Sequence, residues 1–188
     1  YLPGRDVALT RGKVVFKNQL IELIQYAPQT TEVWQEPVLI VPSWIMKYYI
    51  LDLSPHNSMV NYLVSQGQTV FIISWVNPDA SLAQKSMSDY LAEGPLTALD
   101  VIKAQCKVNK VNTLGFCIGG TLEACMLAYL QAKKDDTVAS ATFLAAMIDF
   151  SDPGDISVFI DEAQIQKLED IMQKKGYLEG ERMAQTFN

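Results

Sequence analysis

Four apolar stretches divide this chain into segments, and helical patterns fill the intervals between them. The stretches are residues 38–41, 69–73, 111–116 and 138–144. Apolar residues occupy most positions in each stretch, which is the pattern of strands buried on both faces of a parallel sheet. We therefore expect four strands within one sheet.

Three helical patterns lie between these strands. They cover residues 57–66, 88–107 and 121–134, and the second is interrupted at Gly94 and Pro95. Strands that alternate with helices predict an α/β fold, in which right-handed crossovers build a doubly wound, mostly parallel sheet. Ligands of such sheets bind at the carboxyl ends of the strands.

The two ends of the chain follow other patterns. Residues 13–16 and 20–26 are short β-prone segments on either side of a turn at 17–19, which predicts an antiparallel hairpin. Near the other end, residues 161–175 and 179–187 have amphipathic helical patterns, and no further buried strand is apparent.

Composition narrows the class of protein. The 188 residues are 49% hydrophobic, enough for one substantial core, and the formal net charge is −6. The lysines are scattered, so no basic track for nucleic acid is expected. No apolar run approaches the roughly 20 residues that span a bilayer, and the first residues have no signal-peptide pattern. The sequence predicts one globular, cytoplasmic unit without a transmembrane segment.

Cysteine and histidine are too few for a disulfide or zinc framework. The chain has three cysteines, Cys106, Cys117 and Cys125, and one histidine, His56. No metal site is expected. Cys106 ends a helical segment and Cys125 lies among apolar residues, so both are expected to be inert packing residues.

Cys117 has a different setting, because it lies where the third apolar stretch gives way to a helical pattern. The local sequence is GFCIGG, with Gly115 and Gly119 on either side of the cysteine and Gly120 next. A residue on such a strand-to-helix turn projects its side chain above the sheet and toward the first amides of the helix. The pattern matches the nucleophile elbow of serine hydrolases, with sulfur in place of oxygen.

Two other interpretations of this segment remain. Cys117 could be a small packing residue on a glycine-rich connection, or the segment could bind phosphate. The glycine spacing of a dinucleotide site and the Gly-Lys-Ser/Thr of a phosphate loop are both absent, which favours the nucleophile.

Longer motifs resemble those of polyhydroxyalkanoate synthases and occur in the same order along nearly the whole chain. They are residues 41–53 (VPSWIMKYYILDL), 67–79 (GQTVFIISWVNPD), 115–121 (GFCIGGT), 149–150 (DF) and 158–162 (VFIDE). The resemblance implies an α/β-hydrolase-fold acyltransferase that polymerises (R)-3-hydroxyacyl-CoA into polyester and releases coenzyme A.

The resemblance also implies roles for individual residues. Cys117 matches the nucleophile that carries the acyl chain, and the backbone amides of Ile118 and Ile45 are the expected oxyanion donors. No cofactor is implied, because coenzyme A arrives with the substrate. The resemblance further implies a cytoplasmic protein that associates with polyhydroxyalkanoate granules and forms a homodimer in full-length form. Many members have proline and asparagine in place of Ser43 and Met46, which is a departure here.

By the same resemblance the sequence covers only part of a catalytic domain. Residues 1–150 correspond to the first part of the hydrolase core and residues 151–188 to the start of a helical cap. The sheet is expected to be incomplete, which would leave the strand over 138–144 near an exposed edge. The aspartate and histidine of the catalytic triad are expected on later strands.

Three polar residues are weaker candidates for the site. His56 is either a base for Cys117 or, as we favour, a polar residue that precedes a helix. Asp149 follows the fourth strand and is expected to be structural, whereas Asp52 is a possible carboxylate that fixes a loop near the site.

Two rival functions stay open at this stage. The same elbow would serve a cysteine-dependent thioesterase or esterase, which transfers the acyl group to water. The chain could also be a non-catalytic module that binds the granule surface.

Overall fold

Eight strands and five α-helices make up the computed structural model, which describes residues 1–159 and 161–180. The strands are β1 (Gly12–Lys17), β2 (Ile21–Tyr26), β3 (Val38–Val41), β4 (Asp52–Ser54), β5 (Asn57–Ser58), β6 (Val70–Trp75), β7 (Val111–Phe116) and β8 (Val138–Leu144). The helices are α1 (Met59–Ser65), α2 (Met87–Leu91), α3 (Thr97–Cys106), α4 (Ile118–Lys133) and α5 (Glu162–Lys175).

Six of the strands form one sheet in the order β1-β2-β6-β3-β7-β8. Strands β6, β3, β7 and β8 are parallel, and the β1–β2 hairpin adds to β6 in antiparallel orientation. The predicted hairpin and the predicted mostly parallel sheet are confirmed. Since β3 and β7 are parallel neighbours that pair Val41 with Gly115, their carboxyl ends meet at one edge of the sheet.

Side chains that alternate along the central strands enter two separate cores. Leu39 and Phe71 pack on the face that α3 and α4 cover, whereas Ile40 and Ile72 pack on the face covered by α1. All four side chains are fully buried. Complete burial of such a side chain contributes about 1.5–3 kcal/mol, so the central strands are firmly held.

The helices follow the predicted patterns with two differences. The break at Gly94 and Pro95 is confirmed as a π-helical turn over Ala92–Leu96 between α2 and α3. The first predicted helix, over 57–66, is shorter than expected, because residues 52–58 form the β4–β5 hairpin and Ser58 caps α1 through its side chain. The predicted helix over 161–175 is confirmed as α5. The pattern at 179–187 lies almost entirely outside the described residues.

The expectation that the strand over 138–144 lies near an exposed edge of an incomplete sheet is confirmed for β8. It pairs with β7 alone and lies at the edge of the sheet, and its five middle residues are exposed. The apolar pattern was correct for the strand but wrong for its burial, because burial depends on neighbours that the described residues do not supply.

Within the described residues, no helix combines the length and the apolar character needed to cross a membrane.

The exposed β8 edge predicts self-association of the isolated chain. An unpaired strand edge with apolar side chains, such as Phe143, is a template for pairing with another copy. Light scattering across a dilution series should therefore give a mass that rises with concentration.

A charge on this strand should reduce the association. Ala141→Lys places a lysine on β8, whereas Ala132→Lys places one on an exposed position of α4 and serves as the control. A monomer at every concentration, or equal effects of the two lysines, would show that the β8 edge does not mediate self-association.

Candidate active site

Cys117 occupies the turn between β7 and α4 in a backbone conformation that is rare for an L-residue. Its φ is 56° and its ψ is −128°. Holding a non-glycine residue in such a region costs about 1–3 kcal/mol, and such strain is concentrated at functional sites. The side chain is partly exposed. The predicted strand-turn-helix context of the elbow is therefore present.

The three glycines of the elbow are required by close packing. A Cβ on Gly119 would overlap the carbonyl oxygen of Val41 and lie 2.7 Å from the carbonyl carbon of Pro42. A Cβ on Gly115 would overlap the Cα of Gly120. The first turn of α4 thus lies directly against the ends of β3 and β7, and no larger residue fits.

Backbone hydrogen bonds anchor this turn on both sides. The amide of Cys117 donates to the carbonyl oxygen of Leu144 at the end of β8, with a distance of 3.0 Å. The amide of Gly120 donates to the carbonyl oxygen of Cys117 at 2.9 Å. Cys117 stands immediately before α4, whose N-terminus carries a partial positive charge.

The two expected oxyanion donors have different surroundings. Ile118 is the first residue of α4, where a backbone N–H has no acceptor within the helix. The amide of Ile45 instead donates to the Oγ of buried Ser43 at 3.2 Å. An oxyanion would have to share or replace that bond, so the loop at 43–47 controls whether Ile45 can take part.

Trp44 of this loop forms an aromatic cluster with Trp75 and Tyr90. The Trp44 ring is 6.1 Å from the Trp75 ring and 5.5 Å from the Tyr90 ring. Trp75 also donates a hydrogen bond from Nε1 to the carbonyl oxygen of Pro42 at 2.8 Å. The sequence analysis did not detect this bond, which joins residues far apart in the chain.

His56 and Asp149 are both exposed side chains. His56 is exposed in the turn between β4 and β5, and Ser58 rather than His56 caps α1. Asp149 is exposed and accepts a hydrogen bond from the amide of Ser151, which lowers its pKa. Among the described residues, no hydrogen bond links either side chain to the elbow.

Asp52 fixes chain segments, but none of its hydrogen bonds reaches the elbow. Its carboxylate is 1% exposed and accepts bonds from the amide and the hydroxyl of Thr10 and from the hydroxyl of Ser58. These bonds tie the N-terminal segment to the β4–β5 hairpin. Burial, with a further effect from Asp52, raises the pKa of nearby Tyr26.

A cavity of about 420 Å³ lies beside Asp52, between the N-terminal segment and the β4–β5 hairpin. Arg11, Gln29 and Asn61 are among its lining residues. Cys117 does not line this cavity.

Glu123 is a buried carboxyl group that the sequence analysis missed. It lies on α4 and is 0% exposed, and neither of its oxygens has a hydrogen-bond partner among the described residues. A Cβ on Gly115 would overlap its Oε2, so the carboxyl group lies against the strand that leads to Cys117. Burial raises its pKa, and the proximity of Thr113 and Gly115 offsets this only in part. Its signal in the sequence is a single acidic residue within a mostly apolar helix.

The other two cysteines have unequal environments. Cys106 ends α3 as predicted, and burial raises the pKa of its thiol. Cys125 is exposed on α4. The expectation that Cys125 is a packing residue is wrong, because its side chain lies on the outer face of the helix.

Two family models match this chain. The model of the alpha/beta hydrolase fold matches residues 36–178. The model of the poly-beta-hydroxybutyrate polymerase (PhaC) N-terminus matches residues 1–63.

Two curated relatives of this chain are named as poly(3-hydroxyalkanoate) polymerases. A poly(3-hydroxyalkanoate) polymerase of Methylorubrum extorquens is 51% identical over 98% of this chain and 31% of that protein. The poly(3-hydroxyalkanoate) polymerase subunit PhaC of Rhizobium etli is 46% identical over 98% of this chain and 29% of its own length. The chain therefore spans about three tenths of these relatives.

Two solved structures are similar to this chain in fold. The Francisella virulence factor BioJ has a TM-score of 0.56 at 16% identity, covering 87% of this chain and 52% of that one. A putative hydrolase from Agrobacterium vitis has a TM-score of 0.54 at 17% identity, covering 85% and 60%.

The environment of Glu123 predicts a stability that depends on pH. Burial raises the pKa of this carboxyl above its ordinary value of 4.5, so its favourable contribution is complete below that value and is lost as the pH rises toward the folded-state pKa. Glu123→Gln has a similar shape and cannot ionise. As the pH is raised above 4.5, the Tm of Glu123→Gln measured by circular dichroism should therefore fall less than the Tm of the wild type.

Glu169→Gln is the matched control, because Glu169 is exposed on α5. We expect its Tm to follow the wild type across the same range. Parallel curves for Glu123→Gln and the wild type would contradict a neutral, buried Glu123.

Proposed function

The chain belongs to the α/β-hydrolase-fold family, and on that basis we propose that it is part of the catalytic domain of a poly(3-hydroxyalkanoate) polymerase with Cys117 as its nucleophile. The observation that carries the proposal is the strained turn at Cys117, which places a sulfur before the N-terminus of α4. The curated relatives supply the substrate class, since they match 98% of the chain under that name.

The proposed reaction begins with an attack of the Cys117 thiolate on the thioester carbonyl of an (R)-3-hydroxyacyl-CoA. A new C–S bond forms, the bond to the sulfur of coenzyme A breaks, and coenzyme A leaves. The exchange of one thioester for another is nearly thermoneutral, so the acyl group on Cys117 stays reactive. The hydroxyl of another hydroxyacyl unit then attacks this acyl group and gives its proton to a general base. An ester C–O bond forms, the C–S bond to Cys117 breaks, the thiolate of Cys117 leaves, and the polyester is one unit longer.

Stabilisation of the tetrahedral intermediates is assigned to backbone amides. Ile118 is placed for this at the start of α4, where its amide has no acceptor within the helix. Ile45 is the second proposed donor, and its bond to the Ser43 hydroxyl would loosen when the oxyanion forms.

The general base is proposed to come from the part of the polymerase that this chain does not span. Among the described residues, no histidine or carboxylate is hydrogen-bonded to Cys117. In this assignment residues 1–150 are the first part of the hydrolase core and residues 151–188 begin a helical cap. No metal or cofactor is required, because coenzyme A belongs to the substrate.

The proposal extends to the setting of the enzyme. The full-length protein would act in the cytoplasm at the surface of polyhydroxyalkanoate granules, where the growing polyester collects, and it would form a homodimer. No nucleic-acid partner is proposed, in keeping with the net charge of −6.

Loss of the nucleophile tests the assignment in the full-length protein. Cys117→Ala should abolish release of coenzyme A from 3-hydroxybutyryl-CoA, since removing a covalent nucleophile costs several orders of magnitude. Cys125→Ala is the matched control and should retain most of the activity, because its thiol is exposed on α4. Turnover by Cys117→Ala near the wild-type rate would refute the assignment.

Product analysis of the same reaction separates the rival functions. Polymer would support a polymerase, and free hydroxy acid would support a thioesterase of the same fold. A full-length protein that releases no coenzyme A would favour a non-catalytic module at the granule.

The 188-residue chain by itself should show little turnover. Its one histidine, His56, lies in an exposed turn of the β4–β5 hairpin. Without a base, a free cysteine is ionised to roughly a few per cent near neutral pH. Coenzyme A release by the purified chain at the rate of a full-length relative would contradict this, and its loss in His56→Ala would then identify His56 as the base.

A further inference from the structure

Trp75 holds the backbone that leads into the loop at 43–47. The residue ends β6, and its indole N–H donates to the carbonyl oxygen of Pro42 at 2.8 Å. That carbonyl oxygen would lie 2.8 Å from a Cβ on Gly119, so it also lies against the first turn of α4. One carbonyl group is therefore held between the indole and the elbow.

This bond has a consequence for the peptide group that follows Pro42. The peptide group joining Pro42 to Ser43 is planar and trans, so its C=O and N–H point in opposite directions. Fixing the carbonyl toward Trp75 therefore fixes the direction of the Ser43 backbone. Ser43 in turn binds the amide of Ile45 through its Oγ.

The indole is itself held from three sides. The Tyr90 ring stacks on it at 5.4 Å with an interplanar angle of 29°, and the Trp44 ring approaches edge-on at 6.1 Å. Gly94 accommodates its outer edge, since a Cβ there would lie 2.5 Å from Cη2. The π-helical turn at Gly94 thus makes room for the ring.

We propose that Trp75 is a positioning residue of the acyl-transfer site, which sets the loop at 43–47 relative to Cys117 through the Pro42 carbonyl. The inference rests on the proposed function, because it assumes that this loop supplies an oxyanion donor. Trp75 itself does not touch the reacting atoms.

Two reactions of Cys117 in the full-length protein separate loop alignment from cysteine reactivity. With p-nitrophenyl acetate, the thiolate attacks the ester carbonyl, the C–S bond forms, the C–O bond breaks and p-nitrophenolate leaves. This acylation passes through an oxyanion. Alkylation by iodoacetamide displaces iodide directly and forms no oxyanion. Labelling of Cys117 by either reagent is followed by mass spectrometry.

Trp75→Phe should slow acylation and leave alkylation unchanged. It retains an aromatic ring and loses the N–H that binds Pro42. Losing a whole oxyanion donor costs roughly 10²–10³ in kcat, so misalignment of one donor should slow acylation about tenfold. Tyr90→Leu, which removes the stacked ring and leaves the indole N–H in place, should have the same selective effect if Trp75→Phe fails to fold.

Trp34→Phe is the matched control. Trp34 also donates from Nε1 to a backbone carbonyl, that of Gln66 at 3.1 Å, but it is exposed and lies on the loop before β3. It should change neither rate. Unchanged acylation in Trp75→Phe would overturn the proposal, and so would an equal loss of acylation and alkylation, because that would mean that Cys117 itself had moved.

Release of coenzyme A from 3-hydroxybutyryl-CoA tells the two proposals apart. Wild-type protein that releases none would refute the proposed function, while a selective acylation defect in Trp75→Phe would still support the role of Trp75. Equal coenzyme A release by the wild type and Trp75→Phe would refute the role of Trp75 alone.

Discussion

The close approach of Gly119 to the end of β3 is the contact on which the site depends. The parallel pairing of β3 with β7 brings Val41 beside Gly115, and α4 must then start in the narrow space above both strand ends. Only a residue without a Cβ fits there, since any side chain would overlap the Val41 carbonyl oxygen. This packing forces Cys117 into its positive φ, and the buried central strands offset the cost.

Two buried acidic side chains, Asp52 and Glu123, have different surroundings. Asp52 receives hydrogen bonds from Thr10 and Ser58, so its charge is compensated while it ties distant segments together. The carboxyl oxygens of Glu123 accept no hydrogen bond among the described residues, and burial favours the neutral form of this group. A neutral carboxyl beside Gly115 leaves the partial positive charge of the α4 N-terminus unopposed.

The sequence predicted those features that depend on local pattern. The apolar stretches located β3, β6, β7 and β8, and the glycines around Cys117 located the elbow. It failed where distant neighbours decide the outcome. The apolar pattern of β8 does not indicate its exposure, although the incomplete sheet predicts its edge position. Asp52 joins the β4–β5 hairpin to Thr10, which lies far away in the chain. The bond from Trp75 to Pro42 likewise forms only when β3 and β6 lie side by side, and no periodicity marks it.

The placement of the tryptophans gives this fold an internal optical reporter. The chain has three, of which Trp44 and Trp75 belong to the aromatic cluster at the loop, whereas Trp34 lies outside that cluster and is 64% exposed. Indole emission responds to the polarity and packing around the ring. Movement of the loop would therefore alter the emission of two tryptophans at once over a constant background from the third, so that occupancy of the site could be followed in real time without any attached dye.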